Sequence, residues 1–106
     1  LALWNYNAFN TTATDRGIKD FTLILSNNSD FSSPVYVSGT LTLPEGTATN
    51  IPGTIFSFPV IQAQYARIDV ASNWGPTGGA LIGLSEVRFA QTVPVPESSS
   101  GLGLLA

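Results

Sequence analysis

The stretch from Gln64 to Ala90 constrains the fold most strongly, because apolar and polar residues alternate there in two separate runs. The first run is Y-A-R-I-D-V (65–70), the second is L-S-E-V-R-F (84–89), and a Gly- and Pro-rich loop joins them. A period of two with one apolar face is typical of a β-strand. We predict that the two strands pair in antiparallel fashion, which makes Arg67 and Glu86 a structural cross-strand ion pair.

Four more segments have strand character, and no segment carries a helical stripe. They are residues 1–6, 18–25, 35–43 and 54–58, of which 35–43 is the clearest half-exposed strand. The residues predicted to point inward are Phe21, Leu23, Leu25, Val35, Val37, Leu41 and Leu43, with Phe56 and Phe58 as hydrophobic filling and Trp4 and Tyr6 in the core. The sequence therefore predicts an all-β, antiparallel fold.

Composition limits both the size of the domain and its chemistry. The 106 residues make one domain at most, with 43% hydrophobic and only 10% charged residues. A net charge of -3 with four basic residues argues against a nucleic-acid partner. The chain has no His and no Cys, which removes the commonest general base and metal ligand together with the thiol nucleophile. The acidic residues are scattered and Lys19 beside Asp20 is interpreted as a solvated charge pair, so we expect no catalytic residues and no enzyme.

Two polar loops deserve separate interpretations. Residues 26–33, S-N-N-S-D-F-S-S, are dense in side chains that form turns by bonding to their own backbone. The spacing of Asn28 and Asp30 is also compatible with part of a calcium loop, but further ligands and a closing Glu are lacking, so a turn is predicted. In the loop from Ser72 to Ala80, Trp74 either folds back onto the end of the sheet or waits for a ligand.

The residue types in the loops suit sugar binding. A pyranose ring offers an apolar face to an aromatic ring and hydroxyl groups to amide, guanidinium or carboxylate groups. Trp74 and Asn73 lie in one loop, and Asn5, Asn7, Asp15 and Arg16 lie in or beside the polar connection 7–17. For Arg16 a second interpretation stays open, in which its guanidinium only holds its loop by donating to carbonyl groups.

Five short segments, taken together, resemble discoidin-like domains, the galactose-binding-like jelly rolls that include many bacterial carbohydrate-binding modules. They are L-W-N-Y-N (3–7), D-R-G-I-K-D-F (15–21), F-S-F (56–58), Y-A-R-I-D-V (65–70) and L-S-E-V-R-F (84–89), in the family's order and approximate spacing. The resemblance implies a β-sandwich of about eight antiparallel strands with ligands held by loops at one end. It covers the C-terminal part of such a domain, so the first strands and the family's structural calcium loop are expected to be missing. It also implies that Trp74 occupies a sugar-stacking position, with Asn73, Asn7 and Arg16 as polar partners.

The C-terminal residues differ in character from residues 1–90. Residues 91–106 run from Val-Pro-Val-Pro-Glu through three serines into an apolar stretch. They resemble the start of a bacterial PEP-CTERM sorting signal, although the motif lacks its second Pro after Glu97 and no Arg cluster follows. The resemblance implies export to the cell envelope or extracellular matrix, with membrane contact only through this tail.

The sequence thus leads to two expected functions. The first is an exported, non-catalytic carbohydrate-binding or adhesion module that holds a glycan or exopolysaccharide through Trp74, Asn73, Asn7 and Arg16. The alternative is a structural envelope or matrix protein that mediates protein contacts and has no sugar site. Neither function uses a cofactor or a metal ligand from these 106 residues, and the family's structural calcium, if bound, would belong to the missing N-terminal part.

Overall fold

The structure, a computed structural model, describes residues 1–7, 13–75 and 81–91. These residues form short antiparallel strands joined by loops, with a single turn of 3-10 helix at Thr14–Arg16. The strands are β1 (Ala2–Asn5), β2 (Asp20–Ser26), β3 (Pro34–Val37), β4 (Leu41–Thr42), β5 (Thr54–Ile55), β6 (Tyr65–Val70) and β7 (Leu84–Arg88). The tail that resembles a sorting signal lies outside the described residues, apart from Gln91.

The strands form two antiparallel sheets, which confirms the predicted all-β sandwich. In the first sheet β1 lies between β5 and β7. In the second sheet β2 lies between β6 on one side and the successive strands β3 and β4 on the other. The long apolar strand β2 is therefore paired along both edges.

The core lies between the sheets and follows the predicted alternation of β2. Phe21, Leu23 and Leu25 are buried and pack with Leu1 and Leu3 of the first sheet. The prediction for Phe56 and Phe58 is also confirmed, because both pack against this core; the Phe56 ring meets Phe21 edge-on at a centroid distance of 5.3 Å. Such edge-to-face contacts add to the stabilisation that comes from burying the rings.

The predicted pairing of residues 65–70 with residues 84–89 is wrong. Strand β6 pairs along its whole length with β2, whereas β7 pairs with β1 in the other sheet. The predicted Arg67–Glu86 ion pair is wrong as well. Arg67 lies over the ring of Phe31 at 4.8 Å, and Glu86 pairs with Arg88 on its own strand. Alternation identifies a strand and its apolar face but does not select its partner, which depends on how both sheets are completed.

The prediction of one continuous strand over 35–43 is wrong. The segment forms two strands, and part of the face that was predicted to point inward points outward. Strands β3 and β4 are separated at Ser38, whose N–H donates to the Leu23 carbonyl (2.9 Å) and whose Oγ accepts from the Leu23 N–H (2.8 Å). Beyond Ser38 the pairing with β2 gains one residue, since Phe21 lies opposite Leu41. An extra residue in one strand turns the following side chains to the other face.

As a result, Leu41 and Leu43 point inward as predicted, but Val35 and Val37 do not. These two valines are 47% and 56% exposed, and Tyr36 packs against the core in their place. Tyr36 also stacks at a tilt on Phe58, with the ring centroids 5.9 Å apart.

Trp4 and Tyr6 lie outside the central core cluster, contrary to the prediction for them. Both are partly buried. Trp4 lies on the outer face of β1, where the Arg88 guanidinium covers its ring at 5.3 Å and the ring packs so closely on Gly53 that a Cβ there would come within 2.6 Å. Because Leu3 occupies the inner face, the alternation of β1 forces Trp4 to the opposite side.

Candidate functional site

Loops from both sheets meet at one end of the sandwich, which we call the loop end. It comprises residues 5–7, 13–19, 43–49, 71–75 and 81–83, where β1, β4 and β6 finish and β2 and β7 begin. Two isolated bridges tie these loops together, Gly17 with Gly83 and Ile18 with Asn73. The predicted ligand residues Asn7, Arg16, Asn73 and Trp74 all belong to this end, so the fold gathers residues that are far apart in the sequence.

Asn5 holds the loop end together from inside. Its side-chain amide donates to the carbonyls of Ile18 (2.8 Å) and Pro44 (2.7 Å), and its Oδ1 accepts from the N–H groups of Ile18 and Tyr6. All four contacts are made by a residue that is 2% exposed. Asn5 was one of the amides considered for ligand contact, but its polar atoms are fully used inside the protein.

Gly17 leaves the space that this network needs. A Cβ at Gly17 would lie 2.7 Å from Asn5 Oδ1, the same oxygen that accepts from the N–H of the next residue, Ile18. The close approach of backbone to side chain therefore requires a residue without a Cβ.

Trp74 is anchored at three points. Its backbone N–H donates to the Gly17 carbonyl (3.1 Å), and its indole Nε1–H donates to the Leu43 carbonyl (2.8 Å). The ammonium of Lys19 lies 4.9 Å from the centre of its ring, a cation–π distance. Of the two interpretations of Trp74, the structure places the ring against the loop end, partly buried and fixed in orientation.

The two predicted amide ligands bond within the protein. Asn73 Oδ1 accepts from the Gly75 N–H (3.1 Å), and its Nδ2 donates to the Leu81 carbonyl (3.2 Å). Asn7 Oδ1 accepts from the N–H of Ala48 (2.7 Å), and its Nδ2 donates to the Thr49 carbonyl. Ala48 has a positive φ of 65°, a strained conformation for a residue with a Cβ, and the Asn7 bond helps to hold it.

Arg16 differs from the other three. Its backbone is fixed, because its N–H donates to the Ala13 carbonyl (3.2 Å) and its carbonyl accepts from the Gly83 N–H (2.9 Å). The side chain is exposed, and its guanidinium has no hydrogen-bond, ion-pair or ring partner in the described part of the chain. The guanidinium thus extends from a backbone that is held in place. No contact among the described residues supports the interpretation in which it only holds its own loop.

Lys19 is the site residue that sequence reasoning missed. It was interpreted as a solvated pair with Asp20, which is wrong: Asp20 accepts bonds from the hydroxyls of Thr42 (2.7 Å) and Ser72 (3.3 Å), while Lys19 turns to Trp74. No spacing signal in the sequence links Lys19 to Trp74, because the two are brought together by backbone pairing between residues 17–19 and 72–74.

A second pair of polar side chains stiffens the loop end. The hydroxyl of Thr14, a residue that is 1% exposed, donates to Glu45 Oε2 (2.9 Å). This bond joins the short 3-10 helix that carries Arg16 to the loop that carries the Trp74 acceptor. The polar groups around Arg16 and Trp74 are therefore cross-linked before any ligand arrives, which lowers the ordering entropy that binding has to overcome.

The turn between β2 and β3, at the opposite end of the sandwich, is built as predicted from side chain to backbone bonds. Asp30 Oδ1 accepts from the Ser32 N–H (3.0 Å), and Ser26 Oγ accepts from the Asn28 N–H (2.9 Å). The bond from the Ser32 backbone, followed by the Ser32 side chain, lowers the pKa of Asp30 below its ordinary value of 3.8. Within residues 1–7, 13–75 and 81–91, no three or more acidic residues gather as a metal site would require.

Comparisons with protein-family models, curated proteins and solved structures return no match to this chain. The sandwich architecture and the geometry of the loop end are therefore the observations on which any function has to rest.

Proposed function

We propose that this domain is a non-catalytic carbohydrate-binding or adhesion module that holds a glycan at the loop end. The observation that carries the proposal is that an exposed Arg16 side chain belongs to the same loop end as an aromatic ring, Trp74, which is fixed through the Gly17 and Leu43 carbonyls. A fixed, partly exposed indole can stack on the apolar face of a pyranose, and a guanidinium can donate to two hydroxyl oxygens or to a carboxylate.

Within this proposal, the internal hydrogen bonds of the two amides favour a ligand set that differs from the one expected from the sequence. Asn7 and Asn73 serve mainly to shape their loops, because both groups of each amide already have partners. Lys19 takes their place, since its ammonium lies over the Trp74 ring and keeps donors for a sugar hydroxyl. The proposed contacts are therefore Trp74 for stacking, with Arg16 and Lys19 as donors.

Titration of the chain with a panel of neutral and uronate-containing oligosaccharides tests the proposal by calorimetry or NMR. Trp74→Leu removes the stacking ring and should abolish binding, whereas Trp74→Phe keeps a smaller aromatic ring and loses the bond to Leu43, so binding should weaken less. Arg16→Gln should weaken binding without changing stability, because the guanidinium has no described partner. Trp4→Leu, on the outer face of β1, is the matched control and should leave affinity unchanged. Equal affinity in the wild type and Trp74→Leu, or no binding at all, refutes the sugar site.

A structural envelope or matrix protein without a sugar site is the second candidate. It is favoured by the internal use of the Trp74 indole N–H and of both predicted amides, which leaves fewer polar groups for hydroxyls than a sugar site commonly offers. This candidate expects no glycan binding in the same titration. It also expects Trp74→Leu to lower the free energy of unfolding, since the ring would then serve packing alone.

The proposal includes export, which is supported by the sequence of residues 91–106 and by the low charge of the chain. No helix among the described residues has the length and apolar character needed to cross a membrane. Expression in a Gram-negative host with and without residues 91–106, followed by fractionation, tests it. Equal distribution of both forms would contradict a sorting role for this tail.

A further inference from the structure

Strand β6 has one edge to which no described strand is paired. It pairs with β2 over six consecutive positions, from Phe21 opposite Val70 to Ser26 opposite Tyr65. An unpaired strand edge presents a row of N–H and C=O groups that can template another strand.

The pairing with β2 determines which backbone groups of β6 face outward. In the same register, Ala71 lies opposite Asp20, and its N–H donates to the Asp20 carbonyl at 2.8 Å. Hydrogen-bonded positions alternate along an antiparallel pair. The backbone groups of 65, 67, 69 and 71 therefore face β2, and those of Ala66, Ile68 and Val70 face the open edge.

These three outward positions are symmetric about Ile68. In a second copy running antiparallel, Ile68 lies opposite Ile68, and Ala66 lies opposite Val70. Each of these is then a hydrogen-bonded pair, which satisfies every outward N–H and C=O of the strand. The inner-face side chains of both copies also lie on the same side of the joined sheet. In the single chain, Ile68 and Val70 on this face are only partly buried.

The charges of β6 follow the same symmetry. Arg67 and Asp69 are exposed and flank Ile68, so the two-fold arrangement sets Arg67 of each copy opposite Asp69 of the other. These are the positions without backbone bonds between the copies, where facing side chains approach most closely. Neither residue has an ion-pair partner among the described residues, and stacking on Phe31 holds the Arg67 guanidinium in place.

The other edge strand with alternating charges, β7, does not offer charged side chains that are free to pair with a second copy. Glu86 and Arg88 already form an ion pair with each other, and Arg88 also covers the Trp4 ring. A partner strand at β7 would have to compete with the Glu86–Arg88 ion pair, whereas Arg67 and Asp69 have no ion pair among the described residues, so the charge pattern singles out β6.

From this symmetry we propose that β6 is a homodimerisation edge, in which two copies of the chain pair their β6 strands in antiparallel fashion about Ile68. The dimer carries two reciprocal ion pairs, each between Arg67 and Asp69. A single strand pair is a small interface, so the association is weak and depends on concentration.

Sedimentation velocity of the full 106-residue chain over a range of concentrations tests the dimer. The wild type should shift from monomer to dimer as the concentration rises. Arg67→Asp places acidic residues opposite each other, and Asp69→Arg places basic residues opposite each other, so each variant should dimerise at least about tenfold more weakly. The double variant, with both changes, restores opposite charges and should recover dimerisation.

Mixing the two single variants provides a readout that a folding defect cannot imitate. One copy then carries two acidic residues at 67 and 69 and the other two basic residues, so a mixed dimer should form although neither variant dimerises alone. Arg88→Asp on β7 is the matched control, and its dimerisation should equal that of the wild type. Circular dichroism of each variant verifies that the fold is retained.

Amide hydrogen exchange identifies which strand covers the edge. The N–H groups of Ala66, Ile68 and Val70 should gain protection as the concentration rises. A wild type that stays monomeric at about 1 mM, a mixture that does not recover dimerisation, or a dimer weakened by Arg88→Asp as strongly as by Arg67→Asp each overturns the proposal. Protection that is the same at every concentration also overturns it, since another segment of the same chain would then occupy the edge.

Discussion

Replacing Asn5 is the sharpest test of how the loop end is held together. Asn5→Ala removes the partners of the Ile18 N–H and of the Ile18 and Pro44 carbonyls. Ile18 is 3% exposed, so water does not readily replace the lost bonds at its two groups, whereas Pro44 is exposed. With about 1–3 kcal/mol for each of the two buried Ile18 groups left without a partner, we expect the free energy of unfolding to fall by about 2–6 kcal/mol.

Asn5→Asp should be as damaging, although it keeps the size of the side chain. The carboxylate still accepts from the N–H groups of Ile18 and Tyr6, but its second oxygen faces two carbonyls that need a donor. Urea unfolding followed by tryptophan fluorescence measures both changes. Asn7→Ala is the matched control, because it also removes an amide with two loop contacts, but at a residue nearer the surface. Its free energy of unfolding should fall by less than about 1.5 kcal/mol.

A loss of less than about 1 kcal/mol for Asn5→Ala, or a loss no larger than that of Asn7→Ala, would contradict this role of the buried amide. Either result would mean that the loops hold their positions without the buried amide. The sandwich itself would remain, but the account of how Arg16 and Trp74 are brought together would have to be abandoned.

Three further predictions follow from single positions. Gly17→Ala should destabilise by about 1–3 kcal/mol, since the new Cβ meets Asn5 Oδ1, whereas Gly39→Ala, with nothing within 4 Å, should be neutral or slightly stabilising in the same urea assay. Phe21→Ala should lower the free energy of unfolding by about 3–5 kcal/mol, because Phe21 is fully buried against Phe56; a loss below 1 kcal/mol would contradict its central place. The pKa of Asp30 is lowered in the folded state, so its contribution to stability is present above the ordinary pKa of 3.8 and is lost as the pH falls through the lower folded value. An NMR titration that places this pKa at or above 3.8 would contradict the lowering attributed to the Ser32 bonds.

Periodicity predicted the elements of this fold well where one face is continuously buried. Strand β2 is the best case: Phe21, Leu23 and Leu25 point inward as their alternation indicates. The prediction failed over residues 35–43 because this segment itself carries one extra residue near Ser38 in its pairing with β2, and alternation alone does not show where such a bulge lies.

The four residues predicted to contact a ligand lie at one end of the fold, but their contacts within the protein could not be predicted from the sequence. Asn7, Asn73, Arg16 and Trp74 all lie at the loop end, yet the two amides bond to their own loops, and Lys19 contacts the Trp74 ring unexpectedly. Whether a polar side chain meets ligand or backbone depends on which unpaired N–H and C=O groups lie near it, and that is decided only when the loops meet.

By itself, the sequence determined that this protein is an antiparallel β domain whose strands are joined by polar loops. It did so because alternation is a local property that one strand carries alone. Only the tertiary structure decided that β6 joins β2, that β7 joins β1 and that Asn5 locks the loop end. Strand partners and buried hydrogen bonds join residues distant in the chain, so they depend on burying both sheet faces and satisfying every polar group at once.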